Sequence, residues 1–420
     1  MSEIINISAR EVLDSRANPT IEAEVRLASG AVGRAMVPSG ASVGRYEAVE
    51  LRDAFAERYN KKGVLTAVKN VNTVISDALC GVDSSDIRRA DSIMITLDGM
   101  YNKSNLGANA ILSVSLAIAR AAASELSIPL YRYLGGAILN CMPIPMMNIL
   151  NGGVHSGNNV DIQEFMIVPT GASSFSEGVR MCAEVYHKLR NILIASAMSA
   201  DVGDEGGFAP MLMSDSEALD LLLHAISESG YKAGKDFFLA IDAAASEWRV
   251  DGGYVMPKRK SRYTSDELVE YFSELVQKYP IISIEDPLGE DDIYGWKRIS
   301  EIFFTKNIML VGDDLFVTDS NRIKQGIKEN YANTVLIKPN QIGTLSEAAD
   351  AVFTAKHGGY KTILSHRSGE TEDTFIADLS VALGCDFIKM GAPARAERTA
   401  KYNRLMKIES EMFAADYGNI

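Results

Sequence analysis

The sequence is poor in cysteine. Its 420 residues hold four, Cys80, Cys141, Cys182 and Cys385, far apart and with no CxxC pair. That excludes a disulfide framework and a cysteine zinc site, and it points to a reducing compartment, the cytoplasm. Long apolar runs are also missing. None approaches the about 18 residues that mark a membrane-spanning helix, so no membrane span is expected. The opening MSEIINISAREVLDSRANP carries early charges and no apolar core segment, so it is not expected to act as a signal peptide. Positive charge is in deficit: 42 Lys and Arg face 55 Asp and Glu, a formal charge of −13. Such a balance disfavours nucleic-acid binding and suits a dispersed, soluble protein.

What is present is ample apolar material, 47% of the chain, enough for two domains or for a large barrel with an extra domain. TIEAEVRL (20–27) alternates apolar and polar residues with period two, the mark of a strand with one wet face. AVGRAMVP (31–38) follows Ser29-Gly30 and completes a hairpin. From about Lys62 to Leu134 the pattern becomes helical, and NAILSVSLAIARAAASEL (109–126) reads as a helix packed on most of its surface. Two strands followed by helices describe a small α+β domain over residues 1–135.

Residues 136–420 have another rhythm. Apolar runs end in polar residues in FMIVP (165–169), FFLAIDAAASE (237–247), IISIEDP (281–287), IMLVGDDL (308–315), TVLIKPN (334–340), KTILSHRSGE (361–370) and CDFIKMGAP (385–393). Helix-like stretches lie between, such as TSDELVEYFSELVQKYP (264–280), with Thr264 or Ser265 able to cap. The alternation predicts an α/β domain with a parallel sheet, and so many units in so short a chain favour closure into a TIM-like (β/α)8 barrel. A doubly wound open sheet is the alternative. Against it, no GxGxxG separates a strand from a helix, and GDEGGFAP (203–210) lacks that spacing.

In a barrel, reactive groups stand where strands end. Asp242, Glu285, Asp313, Lys338, His366 and Lys389 all have that position. Three carboxylates at one mouth repel one another and call for a cation; oxygen ligands select a hard ion, Mg²⁺ first and Mn²⁺ second. Each acid alone would equally cap a helix or pair with a basic side chain. A lysine beside cations in a desolvated site can lose its proton and act as a base, although both lysines would serve equally as partners of the acids. The loop NGGVHSGNNVDIQEFMIVP (151–169) gathers glycines with His155, Gln163 and Glu164, and VGDEGGFAP sets Glu205 between glycine turns. SHRSGETED offers His366, Arg367 and Ser368, and arginine suits phosphate or carboxylate.

Taken in order, these motifs resemble the enolase family over essentially the whole chain. They include LDSRANPTIEAEV (13–25), PSGASVG (38–44), LGANAILSVSLA (106–117), NGGVHSGNNVDIQEFMIVP, GDEGGFAP, IEDP, VGDDLFVT, LIKPNQIGT, SHRSGETEDTFIADLSVALG and IKMGAP. The resemblance implies an N-terminal α+β capping domain and an enolase-type barrel that begins with antiparallel strands. It also implies Mg²⁺-dependent, reversible dehydration of 2-phospho-D-glycerate to phosphoenolpyruvate, a step of glycolysis and gluconeogenesis, in a cytoplasmic homodimer or homo-octamer. Asp242, Glu285 and Asp313 match ligands of a first Mg²⁺, and Ser42 a ligand of a second that arrives with substrate. Lys338 matches the base at C2, and Glu205 the acid that helps the C3 hydroxyl leave. Gln163 and Glu164 match substrate-side residues, His155 a loop residue over the ligand, Arg367 and Ser368 phosphate contacts, His366 a neighbour, and Lys389 a carboxylate contact. Base and acid on opposite sides of the substrate would come from different strands.

The chain departs from the family pattern at Ala17, Val43 and Pro339 and in the GGVHSG loop, without losing a catalytic group. Two other functions compete with this one. An acid-sugar dehydratase or racemase on the same scaffold would lack the joint GDEGGFAP and SHRSGETED pattern. A non-catalytic binding protein would not need every charged site residue.

Overall fold

The first strand is one the alternation did not reveal. In the computed structural model, which describes residues 2–40, 44–53, 57–153 and 158–418, the chain opens with β1 (Ile4–Leu13), β2 (Pro19–Leu27) and β3 (Val32–Met36) in an antiparallel meander. A register shift between Ile4 and Asn6 breaks the period of β1, and of its ten side chains only Ile4 and Ile7 are buried. The N-terminal sheet therefore has three strands where the pattern showed two.

Helix α1 (Ala108–Glu125) lies on this sheet. Its alanines leave so little bulk that a Cβ on Gly33 of β3 would come within 2.1 Å of the Ala117 carbonyl oxygen. Close approach of this kind explains why the helix is buried on almost every face. The same helix ties the sheet to the rest of the protein. Ser115 Oγ accepts from Leu345 N–H at 3.0 Å, and Arg120 grips both oxygens of Asp373 at 2.6 and 2.8 Å. Nearby, Ser39 and Gly369 exchange backbone hydrogen bonds of 2.7 and 2.9 Å.

Eight further strands close into a barrel: β4 (Ile144–Asn151), β5 (Glu164–Val168), β6 (Phe238–Asp242), β7 (Ile281–Glu285), β8 (Met309–Gly312), β9 (Thr334–Ile337), β10 (Lys361–Ser365) and β11 (Phe387–Lys389). Their order around the barrel is β7-β8-β9-β10-β11-β4-β5-β6, so the open doubly wound sheet is ruled out. Seven strands fall on the predicted apolar runs. The eighth, β4, is buried at every position and so carries no period to read. β5 runs antiparallel to both neighbours; all other pairs are parallel. The core has two parts. Ile144, Met166, Ala240, Val311, Leu336 and Phe387 are among those filling the barrel interior, and a larger apolar layer lies between barrel, helices and N-terminal sheet.

The helix over Ser265–Lys278 starts as its sequence suggests: Thr264 caps it in a reciprocal pair with Glu267. Pro339 does more than end β9. It occupies the first position of the short helix Pro339–Ile342, where its missing N–H is no loss. No helix among the described residues is long and apolar enough to cross a membrane. Ser42, Val43 and His155 lie outside the described residues.

Candidate functional site

The reversed strand decides which side chains meet. Because β5 runs against its neighbours, its first residue stands at the end of the barrel where theirs finish. Glu164 is thus in register with Asp242, and Asp242 with Glu285. Three carboxylates on neighbouring strands face one another at the spacing of directly opposed pairs. Lys389 ends β11 on the far wall and reaches across to all three. Its Nζ lies 2.9 Å from Glu164, 3.1 Å from Asp242 and 2.9 Å from Glu285. Asp313, one residue past β8, is paired with the Lys338 ammonium and accepts from Gln341 Nε2 at 2.8 Å.

Ten of the expected residues line one pocket: Gln163, Glu164, Glu205, Asp242, Asp313, Lys338, His366, Arg367, Ser368 and Lys389. Glu285 lies just behind the wall, 1% exposed, and reaches the pocket through Lys389. Glu205 is not on a strand end, so Lys338 and Glu205 do not come from two different strands as expected. It sits in the 203–210 loop, which is pinned to β4 by Phe208 N–H to the Ile149 carbonyl at 3.0 Å and Asn151 N–H to the Phe208 carbonyl at 2.8 Å. Its carboxyl accepts from Ser368 Oγ at 3.0 Å and from Asn148 Nδ2 at 3.2 Å.

Arg367 is buried and faces Glu47, a residue of the first 135 with no sequence signal of its own. The guanidinium donates to the two Glu47 oxygens at 2.9 and 3.2 Å and to Asn340 Oδ1 at 3.1 Å. Asp286 and Asp314, inside quoted motifs but not singled out, also line the pocket. Asp286 holds a strained backbone, φ 39°, and its carboxylate accepts from the Asp313 and Asp314 N–H groups at 3.0 and 2.8 Å. Val317 and Thr318 follow with φ of 42° and 58°, unfavourable for β-branched residues. Thr318 nonetheless accepts from the Lys338 N–H at 2.9 Å, so the strained turn fixes where the lysine begins.

The electrostatics are those of a site with too many acids. Burial first, and neighbouring carboxylates next, raise Glu164, Glu285 and Asp286 well above the ordinary range and push Asp314 up to about 8; Lys389 opposes the first two. Asp313 is lowered: burial opposes this, but Lys338 prevails. Burial also favours the neutral amine of Lys338, yet Asp313 outweighs it and the net direction is upward. The expectation of a neutral lysine therefore does not hold while Asp313 is free to pair with it. Asp286, Asp313 and Asp314 bring ligand oxygens within 4.8 Å of one another. Of these, Asp286 is already engaged by two backbone donors, and Asp242 and Glu285, expected beside Asp313, are held instead by Lys389.

His366 is driven the other way. Burial, reinforced by Arg398 and opposed by Glu205, lowers its pKa from 6.5 to about 3. Below pH 6.5 the unfolded chain takes up a proton here that the folded protein refuses, so stability is intact above 6.5 and falls as the pH drops towards 3. Urea unfolding at pH 7 and pH 5 should show the native chain losing about 2 kcal/mol more than His366→Gln over that interval. Equal losses in the two proteins would contradict a neutral buried ring.

Two family models match the chain. Residues 4–134 match the enolase N-terminal domain, and residues 139–418 match the enolase C-terminal TIM barrel domain. Together they span nearly the whole length, and the TIM barrel of the second agrees with the closed eight-stranded barrel. The chain belongs to the enolase family.

Proposed function

We propose that this protein catalyses the reversible, Mg²⁺-dependent dehydration of 2-phospho-D-glycerate to phosphoenolpyruvate, as a cytoplasmic homo-oligomer, dimer or octamer. The observation that carries this reading is the meeting of Lys338 and Glu205, from separate segments, in one pocket that also holds a carboxylate cluster and the Arg367–Ser368 pair.

Six acids and three basic side chains line the pocket. Burial and mutual repulsion disfavour the charged forms of several of those acids, and an oxygen donor set of this kind fits a hard divalent ion. Asp242, Glu285 and Asp313 would hold the first Mg²⁺, and Ser42 would contribute to the second. Bound Mg²⁺ supplies stabilisation of the charge that builds on the substrate carboxylate once the C2 proton has left. Sites of the enolase superfamily are themselves an established instance of a lysine or histidine base working beside Mg²⁺.

Every other role falls to the chain. Lys338 removes the proton from C2; with Asp313 committed to a cation, the carboxylate that raises this amine is neutralised and burial favours its basic form. Lys389, a buried ammonium, faces the substrate carboxylate. Arg367, with its planar fork, and Ser368 take the phosphate. Glu205 gives its proton to the C3 oxygen, which departs as water. Gln163 and Glu164 complete the wall on the acid side, His155 would act over the ligand as the family resemblance implies, and the dry surroundings strengthen every charge interaction.

Incubation of the purified protein with 2-phosphoglycerate and Mg²⁺, followed by the absorbance of the enol product, tests the assignment. Product should form at ordinary enzymatic rates. Activity only on acid sugars lacking phosphate would replace this function with another of the same scaffold.

A further inference from the structure

Arg398 lies in the first turn of the last long helix, Ala396–Glu411, and is 0% exposed. No sequence motif marks it, and it does not line the pocket. Its guanidinium nevertheless binds both segments that hold the acid. Nη2 donates to the carbonyl of Asp204, the residue before Glu205, at 3.1 Å and to the Ser368 carbonyl at 2.6 Å. Nη1 donates to the Arg367 carbonyl at 2.7 Å and meets Nδ1 of His366 at 2.6 Å. The Glu205 loop is further seated on the segment leading to this helix. Ala392 N–H donates to the Glu205 carbonyl at 2.9 Å, and at Gly391, φ 78°, a Cβ would come within 2.6 Å of that same oxygen.

The contact to His366 has a chemical consequence. A guanidinium has donors and no acceptor. Nδ1 must therefore present its lone pair, and the proton of the neutral ring resides on Nε2. That atom is buried without a hydrogen-bond partner and faces Glu205 Oε2 at 3.5 Å. Ser368 Oγ and Asn148 Nδ2 approach the same carboxyl as donors.

We propose that Arg398 is a positioning residue for the acid Glu205: it fixes His366 as the Nε2–H tautomer and anchors Asp204 and Ser368, so that the Nε2–H faces a Glu205 carboxyl already bonded by Ser368 and Asn148. The inference rests on the dehydration proposed above. In that reaction the C3–O bond breaks, its electron pair leaves with oxygen, and the Glu205 proton completes the water. The electron pair left at C2 by proton removal becomes the new C2–C3 double bond. Glu205 is then a carboxylate in a buried site. Donors aimed at it stabilise a charge that exists only after proton transfer, which is where an interaction accelerates the step. The other tautomer would turn a lone pair towards that charge.

Two measurements decide this. The first is nitrogen NMR of the full-length native protein labelled with ¹⁵N-histidine. The chain has five histidines, and His366→Gln identifies the one set of signals that disappears. An unprotonated Nδ1 and a protonated Nε2 at pH 7 are expected; the opposite tautomer, or an imidazolium, overturns the proposal whatever the variants do. The second uses Arg398→Met and Arg398→Lys with 2-phosphoglycerate and Mg²⁺ in deuterium oxide. Exchange at C2 needs the base and not the acid. Arg398→Met should lose about 10²-fold in kcat for dehydration while C2 exchange and KM stay within about threefold of native, and Arg398→Lys, which keeps a donor for Nδ1, should recover part of the loss. Equal losses of exchange and dehydration would indicate general disorder of the site and refute the specific role, as would no loss at all. A native protein that neither exchanges nor dehydrates refutes the proposed function itself, and the NMR result still stands for Arg398.

Discussion

Lys338→Ala is expected to lower turnover of 2-phosphoglycerate by about 10²–10⁴-fold, the usual contribution of a positioned general base. The lysine stands one residue past β9, is paired with Asp313, and enters the pocket from a turn fixed by Thr318. Removing it leaves the strand, the Pro339 helix start and the Gln341–Asp313 hydrogen bond in place, so the fold should persist. Exchange of the C2 proton with deuterium oxide should vanish together with product formation. That joint loss separates a base from a group that only holds substrate, because a holding group raises KM and spares kcat. A variant with native C2 exchange would remove Lys338 from its assigned role.

Removal of divalent cations should have an effect of comparable size on activity and a second, physical signature. A chelator should abolish dehydration, with recovery on adding Mg²⁺. At a Mg²⁺ concentration about 100 times its Kd, the cation should add about 2.7 kcal/mol to stability. The site also predicts proton release. Burial and neighbouring carboxylates raise Glu164, Glu285 and Asp286 and push Asp314 up to about 8, so at pH 7 the cluster holds a proton at Asp314. A cation that favours their charged forms must displace protons. Titration calorimetry in buffers of different ionisation enthalpy should therefore show net proton release as Mg²⁺ binds at pH 7. Proton uptake, or full activity in excess chelator, would contradict a carboxylate-held cation.

Legibility in the sequence followed range. Asp242, Glu285, Asp313, Lys338 and Lys389 could be found one at a time, since each ends an apolar run and a barrel gathers such ends at one mouth. Glu205, Gln163 and His155 stood out only as polar residues in glycine-rich loops, and their roles came from the family resemblance. Glu47 and Arg398 left no local trace. Glu47 meets Arg367 across 320 positions of chain, and Arg398 meets His366 across 32. A partner chosen at such range has no spacing to betray it.

Residue order alone determined the small α+β beginning, the strand–helix alternation that follows, and a row of charges at strand ends. Those are consequences of periodicity and of where an apolar run must stop. The closed barrel, the reversal of β5 and the resulting stack of Glu164, Asp242 and Glu285 were settled only by pairing between distant segments. The same holds for the proton on His366 Nε2. A histidine in isolation has two neutral choices, and a buried arginine from the far end of the chain allows one of them.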